Sequence, residues 1–220
     1  MNSLPKPVLA LIISFSFSNR AVCRRWRDSV KYTFKPTDFD RIVKFGTESV
    51  LRLFLTQHPT ADWSEGLCCA CAAGNEDMVR MMIQCGAQNW DQGLFASCVG
   101  GRESLALAMI RRGASDLSGG LYAACIGGHE SLARLMIVLG ANIFHEGLYS
   151  ACTGNNTNLV HLMISHGAND WTCGLYAACV RGNEEHVRLM LDGGAIVNIP
   201  IKFAARDHKN ILALLENYGK

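Results

Sequence analysis

Several kinds of chemistry leave no mark on this sequence. It has no Gly-rich phosphate loop, no His-Glu-x-x-His helix and no doubled Cys-x-x-Cys pair, which sets aside the functions those motifs carry. Cys68, Cys69 and Cys71 lie close together. One helix cannot aim all three at one ion, and no second ligand pair follows. His129, His145, His161, His166, His186 and His208 are scattered over different positions and read as surface or capping residues. No Ser-His-Asp set can be assembled without arbitrary choices among loops. The expectation is a non-enzymatic chain with no catalytic, cofactor-binding or metal-ligating residue.

Net charge is also small, at +2 over 220 residues, and by itself points to no nucleic-acid or membrane partner. The charge is uneven: residues 1–38 carry seven Lys/Arg against two Asp/Glu, and the remainder fourteen against seventeen. Four arginines in eight residues beside a single Trp make a weak nucleic-acid signal. Long apolar runs are missing too. The run at 7–17 is too short to span a bilayer. It has the character of a signal-peptide core, but no clear small-x-small site follows it, and Arg20, Arg24, Arg25 and Arg27 come straight after.

Cysteine, by contrast, is plentiful, and position decides its meaning. Five of the ten cysteines, Cys71, Cys98, Cys125, Cys152 and Cys179, recur every 27 residues. Equivalent positions of stacked repeats lie along a line, so these side chains read as small buried hydrophobes rather than disulfides. Ten mostly unpaired thiols imply a reducing compartment, the cytosol or nucleus.

The same period organises the rest of the chain. Gly-Leu recurs at 66–67, 93–94, 120–121, 147–148 and 174–175, within a unit Gly-Leu-Tyr-Ala-Ala-Cys-x-x-Gly ending in Leu-Met-Ile-x-x-Gly-Ala. Leu67 to Ala73 and its equivalents predict a short first helix of small residues. Gly74, Gly101, Gly128 and Gly182, with Asn155 in the fourth unit, stand where that helix must end at positive φ. A second helix follows, as at Glu130 to Val138. Leu132, Leu135, Met136 and Leu139 give it one apolar stripe, and Glu76/Arg80, Glu130/Arg134 and Glu184/Arg188 pair on its solvated face. Gly-Ala at 86–87, 113–114, 140–141, 167–168 and 194–195 then opens a loop. Trp63, Trp90, Leu117, Phe144 and Trp171 read as apolar pegs sealing that loop, and Phe95, Tyr122, Tyr149 and Tyr176 predict a stacked aromatic ladder.

The stretch Ala-Ala-Cys-Ile-Gly-Gly-His-Glu-Ser-Leu-Ala-Arg-Leu-Met-Ile-Val-Leu-Gly-Ala-Asn at 123–142 resembles the ankyrin repeat. The resemblance implies an all-α, ankyrin-type helical solenoid over 39–220. It has a degenerate first unit at 39–65, five clear units over 66–200 and a capping unit at 201–220, with Pro200 in the loop before the cap. The period is 27 rather than about 33, so the usual hairpin finger is shortened or absent. Short Gly-Leu-Tyr units are similar to those of ankyrin proteins in large, amoeba-infecting DNA viruses.

Residues 1–38 read as a small helical segment. Leu4-Pro5, Val8-Leu9, Ile12-Ile13-Ser14-Phe15 and Val22-Cys23-Arg24-Arg25-Trp26-Arg27 resemble an abbreviated F-box, with Pro7 in place of an acidic residue and about five residues missing from the middle. That resemblance implies docking on the small adaptor subunit of a cullin-based (SCF-type) ubiquitin ligase through Leu4, Pro5, Val8, Leu9, Ile12, Ile13, Val22 and Trp26. The ankyrin resemblance implies that a target protein lies on the concave face, against Asp91, Gln92, Val99, Ser118, Ile126, His145, Glu146, Thr153, Thr172, Val180 and Arg181. These columns vary from unit to unit while the packing columns repeat. Together the two resemblances imply a monomeric substrate adaptor in the cytoplasm or nucleus, of a host cell if the origin is viral. The alternative is a binding or sequestering scaffold whose N-terminus only caps the repeats.

Overall fold

The computed structural model describes residues 38–46, 50–51, 54 and 62–218. Every regular element among them is a helix, and no strand occurs among the described residues. The chain divides into two compact units, 1–89 and 90–220.

In the first unit, α1 (Phe39–Phe45) packs on α2 (Trp63–Ala73), which pairs with α3 (Glu76–Gln84). Phe39, Ile42, Val43, Leu51 and Phe54 are buried there, and the rings of Phe39 and Phe54 stack at 5.6 Å. The second unit is a run of helix pairs: α4 (Trp90–Val99) with α5 (Glu103–Arg111), α6 (Leu117–Gly127) with α7 (Glu130–Val138), α8 (Phe144–Thr153) with α9 (Thr157–Ser165), and α10 (Trp171–Arg181) with α11 (Glu184–Asp192). The short α12 (Ile199–Ala204) and α13 (Lys209–Tyr218) close it. First helices pack on first helices, α4 on α6, α6 on α8, α8 on α10 and α10 on α12, to form one layer. The second helices form the other.

One contact explains why the unit begins with glycine. A Cβ placed on Gly147 would lie 2.5 Å from Met163 Sδ, and one on Gly174 2.5 Å from Met190 Sδ; Gly120 meets Met136 at 2.8 Å and Gly66 meets Met82 at 2.6 Å. Each of these four first helices thus leaves a notch for the thioether of its own partner helix. All four methionines are fully buried. The same methionines end their helices, because the backbone N–H groups of Ala87, Ala141, Ala168 and Ala195 donate to the carbonyls of Met82, Met136, Met163 and Met190 at 2.9–3.0 Å. That closure requires the glycine before each alanine at positive φ, 93–115°. The Gly-Ala signature is the trace of this cap in the sequence.

The first helices end as expected, with Gly74, Gly101, Gly128 and Gly182 at φ 70–80° and Asn155 at 57°. They begin earlier than expected. Trp63, Trp90, Leu117, Phe144 and Trp171 are helical residues of the first turn, not loop pegs. In alternate units the cause is an acidic cap: Asp62, Asp116 and Asp170 accept from the backbone N–H of Ser64 and Glu65, of Gly119, and of Cys173. Pro200 likewise lies in the first turn of α12 rather than in a loop, where its missing N–H costs nothing. Leu139 is 42% exposed and leaves the expected stripe, which Leu132, Ala133 and Met136 carry instead. The ion pairs Glu130–Arg134 and Glu184–Arg188 form at 2.7 and 2.6 Å on the outer face.

Replacing Gly147 with Ala should destabilise the chain by about 1 kcal/mol in urea unfolding. Overpacking against Met163 is worth about 1–3 kcal/mol and outweighs the higher helix propensity of alanine. Combining it with Met163→Ala should give less than the sum of the two losses, because truncating Met163 removes the clash and the added methyl fills part of the cavity.

Candidate protein-binding surface

The first-helix layer of the second unit has one face against the second helices and another in solvent. Leu94, Leu121, Leu148 and Leu175 point to the buried side with Cys98, Cys125, Cys152 and Cys179. Burial pushes these thiols up, Cys98 and Cys152 to about 12 and Cys125 and Cys179 to about 11. None of the nine described cysteines is in a disulfide. Iodoacetamide at pH 8 should therefore modify the exposed Cys85 first, ahead of the likewise exposed Cys173, whose thiol Asp170 pushes up. The four-cysteine column should react only on unfolding, as peptide mass spectrometry of native and denatured samples would show.

On the solvent face, Phe95 and Tyr176 are exposed, and Tyr122 and Tyr149 half-buried. No ring contact joins these four aromatics among the described residues, so the expected stacked ladder is a series of separate rungs. Helix axes packed about 8–10 Å apart hold the rings beyond stacking distance. Val99 and Val180 are exposed one turn further on, with Ile126 and Thr153 half-buried between them. Arg181, Glu146 and Gln92 are exposed at the helix ends. The surface that results is apolar and hydroxylic along the helices, with charge at their ends.

Part of the expected contact set has a second task. Asp91 Oδ1 accepts from the backbone N–H of Ser115 at 2.6 Å and of Asp116 at 2.9 Å. His145 Nδ1 accepts from Asn169 N–H at 3.2 Å, and Thr172 Oγ1 from Ile196 N–H at 3.1 Å. The acceptor in each case lies 24 residues before the first donor. Each side chain braces the loop that enters the next helix pair. Ser118 occupies the same column. The loops have no hairpin to satisfy their N–H groups, and these side chains supply acceptors instead. Thr153 is also engaged, its hydroxyl donating to the Tyr149 carbonyl at 2.9 Å.

A second set of cross-unit bonds escaped the sequence reading. Asn156 caps α9 by accepting from Leu159 N–H, and its amide donates back to the Gly128 carbonyl at 3.2 Å. Asn183 caps α11 at His186 N–H and donates to Asn155 Oδ1. His129, at the same position in its unit, places Nε2 3.0 Å from the Val99 carbonyl. The signal available in the sequence was a polar residue directly after each turn glycine or Asn155.

His186 is not a surface residue. It is fully buried between α9 and α11, with Nε2 3.0 Å from the Thr157 hydroxyl and Nδ1 unpartnered. Desolvation pulls its pKa below 6.5; Glu185 opposes this and His161 adds to it. A histidine whose folded pKa is depressed binds fewer protons folded than unfolded. Its contribution is present above pH 6.5 and is lost as pH falls through that value. The urea midpoint should drop between pH 7.5 and 5.5, and His186→Gln should flatten that drop.

Among the described residues no cluster of three or more His, Cys, Asp or Glu could hold a metal ion, and no helix is long and apolar enough to cross a membrane. Leu4, Pro5, Val8, Leu9, Ile12, Ile13, Val22 and Trp26 lie outside the described residues.

These features define a class of helical-repeat scaffold, two helices to a unit, with one layer presenting a variable face. Residues 121–202 match the family model for ankyrin repeats, in three copies. The crystal structure of the human ASB11 ankyrin repeat domain is similar in fold, with a TM-score of 0.55, 20% sequence identity, and coverage of 82% of this chain and 96% of that one. No curated protein sequence matches. Residues 121–202 therefore read as ankyrin repeats, and the fold is of the ankyrin-type helical solenoid kind.

Proposed function

We propose that this chain is a protein-binding scaffold that holds a target on the solvent face of α4, α6, α8 and α10. The observation that carries the reading is the split between the two faces of one helix layer. The buried face repeats Leu and Cys in every unit, while the solvent face changes from Val99 to Ile126, Thr153 and Val180 and leaves large apolar side chains in water. Such a patch is stable in solution but gains from being covered. Ankyrin repeats in general serve protein binding, which supports the same reading. Charge-changing substitutions test it. Val99→Glu with Val180→Glu should weaken target binding by about tenfold or more, the loss expected when a central anchor is removed. The melting temperature should stay unchanged, because both side chains are already exposed. Unaltered binding would overturn the reading.

The finer reading is a substrate adaptor. The F-box-like residues of 1–38 would recruit the small adaptor of an SCF-type ubiquitin ligase while the repeats hold the substrate. Support comes from the order of the matching residues, Leu4-Pro5 through Val22-Cys23-Arg24-Arg25-Trp26-Arg27. Affinity purification with mass spectrometry, using the full chain and a chain lacking residues 1–35, separates the alternatives. Recovery of the ligase adaptor with the full chain only supports the substrate-adaptor reading. Equal recovery of all partners leaves the plain scaffold.

A further inference from the structure

The last helix pair carries an unusual surface. Large apolar side chains of a folded chain are mostly covered. Here Ile199 is 84% exposed, Ile196 69% and Phe203 63%. Within α12, Ile199, Lys202 and Phe203 are exposed at spacing i, i+3, i+4 and share one face; Arg206, in the turn after the helix, folds back over Phe203, and Ile196 is exposed in the loop before α12. Ile201 and Ala205 are buried on the other. The Arg206 guanidinium lies over the Phe203 ring at 4.4 Å, which fixes the ring and holds a cation beside it. Arg206 also reaches Asp207 at 3.5 Å, a long and exposed pair. Lys202 makes no ion pair among the described residues.

This face differs from the seams between units. Where first helices meet, the chain uses Gly, Ala and Cys, as at Gly120 against Cys98. The α12 face bears two cations instead. Its exposed apolar area is on the order of 400 Å², using about 150–250 Å² for a large side chain. That is close to the apolar share of a stable interface, about 800 Å² on each partner and a little over half apolar, so charge decides the occupant. A two-fold mate would set Lys202 and Arg206 against their own copies, which repel. The chain's own residues 1–38 are basic as well. Two cations, one shared with Asp207, are too few for firm adhesion to an anionic bilayer.

We propose that this face docks a short acidic, apolar segment of a partner protein, with Leu- or Phe-type side chains on Ile196, Ile199 and Phe203 and carboxylates on Lys202 and Arg206. The surface is separate from the target columns on α4 to α10, so it stands whether or not those columns bind.

A fluorescent synthetic peptide alternating Asp and Glu with Leu and Phe is the probe, read by anisotropy on the full chain. Its counterpart with Lys for each carboxylate is the control, and phosphatidylserine–phosphatidylcholine vesicles are a second ligand. The acidic peptide should bind, and bind more weakly as salt rises. K202E with R206E, and separately Phe203→Ala, should each weaken it by about tenfold or more, with unchanged circular dichroism. Val99→Glu with Val180→Glu should leave it intact. Absence of binding, equal binding of the Lys peptide, variants that retain affinity, or sedimentation with vesicles in place of peptide binding would each overturn the proposal.

Discussion

The contact between a glycine on each first helix and a methionine on its partner governs this architecture. Without a side chain at Gly66, Gly120, Gly147 or Gly174, the two helices approach until the thioether fills the notch. Burial of that methionine sets where the second helix must lie. Its carbonyl, capped by the alanine that follows the turn glycine, sets where the second helix must stop. Three repeat columns, Gly, Met and Gly-Ala, are therefore one device. Methionine suits it because a flexible, polarizable thioether adapts to small differences in spacing.

Much of this was legible because it is periodic. Gly101 and Asn155 could be assigned positive φ from position alone, since a chain that reverses after a helix needs a residue tolerant of that conformation. Glu130–Val138 was readable end to end from its apolar spacing. The helix starts were not, because a lone Asp before a large apolar residue looks like loop composition. Asp62, Asp116 and Asp170 serve only alternate units, which hides the pattern. Leu139 shows a related limit. Helical spacing predicts a shared stripe, but the helix has ended by then and Leu139 is its cap.

The surface was legible in outline and not in its double duty. Variation at Val99, Ile126, Thr153 and Val180 could be read directly. The bonds from Asp91, His145 and Thr172 to backbone 24 residues away depend on how closely successive units approach, which one unit's sequence does not reveal. His186 misled for the opposite reason. A histidine in an otherwise polar first turn reads as solvated, yet α9 covers it and offers the Thr157 hydroxyl.

The loop braces divide the variable face into two kinds of position. At 91, 145 and 172 the side chain must offer a hydrogen-bond acceptor close to its own backbone, or the next loop loses its hold; the chemistry allowed there is narrow. At 99 and 180 the side chains are exposed and brace no loop, so size and charge can vary more widely there. A redesigned recognition surface on this scaffold would therefore draw its diversity from the second set and treat the first as framework.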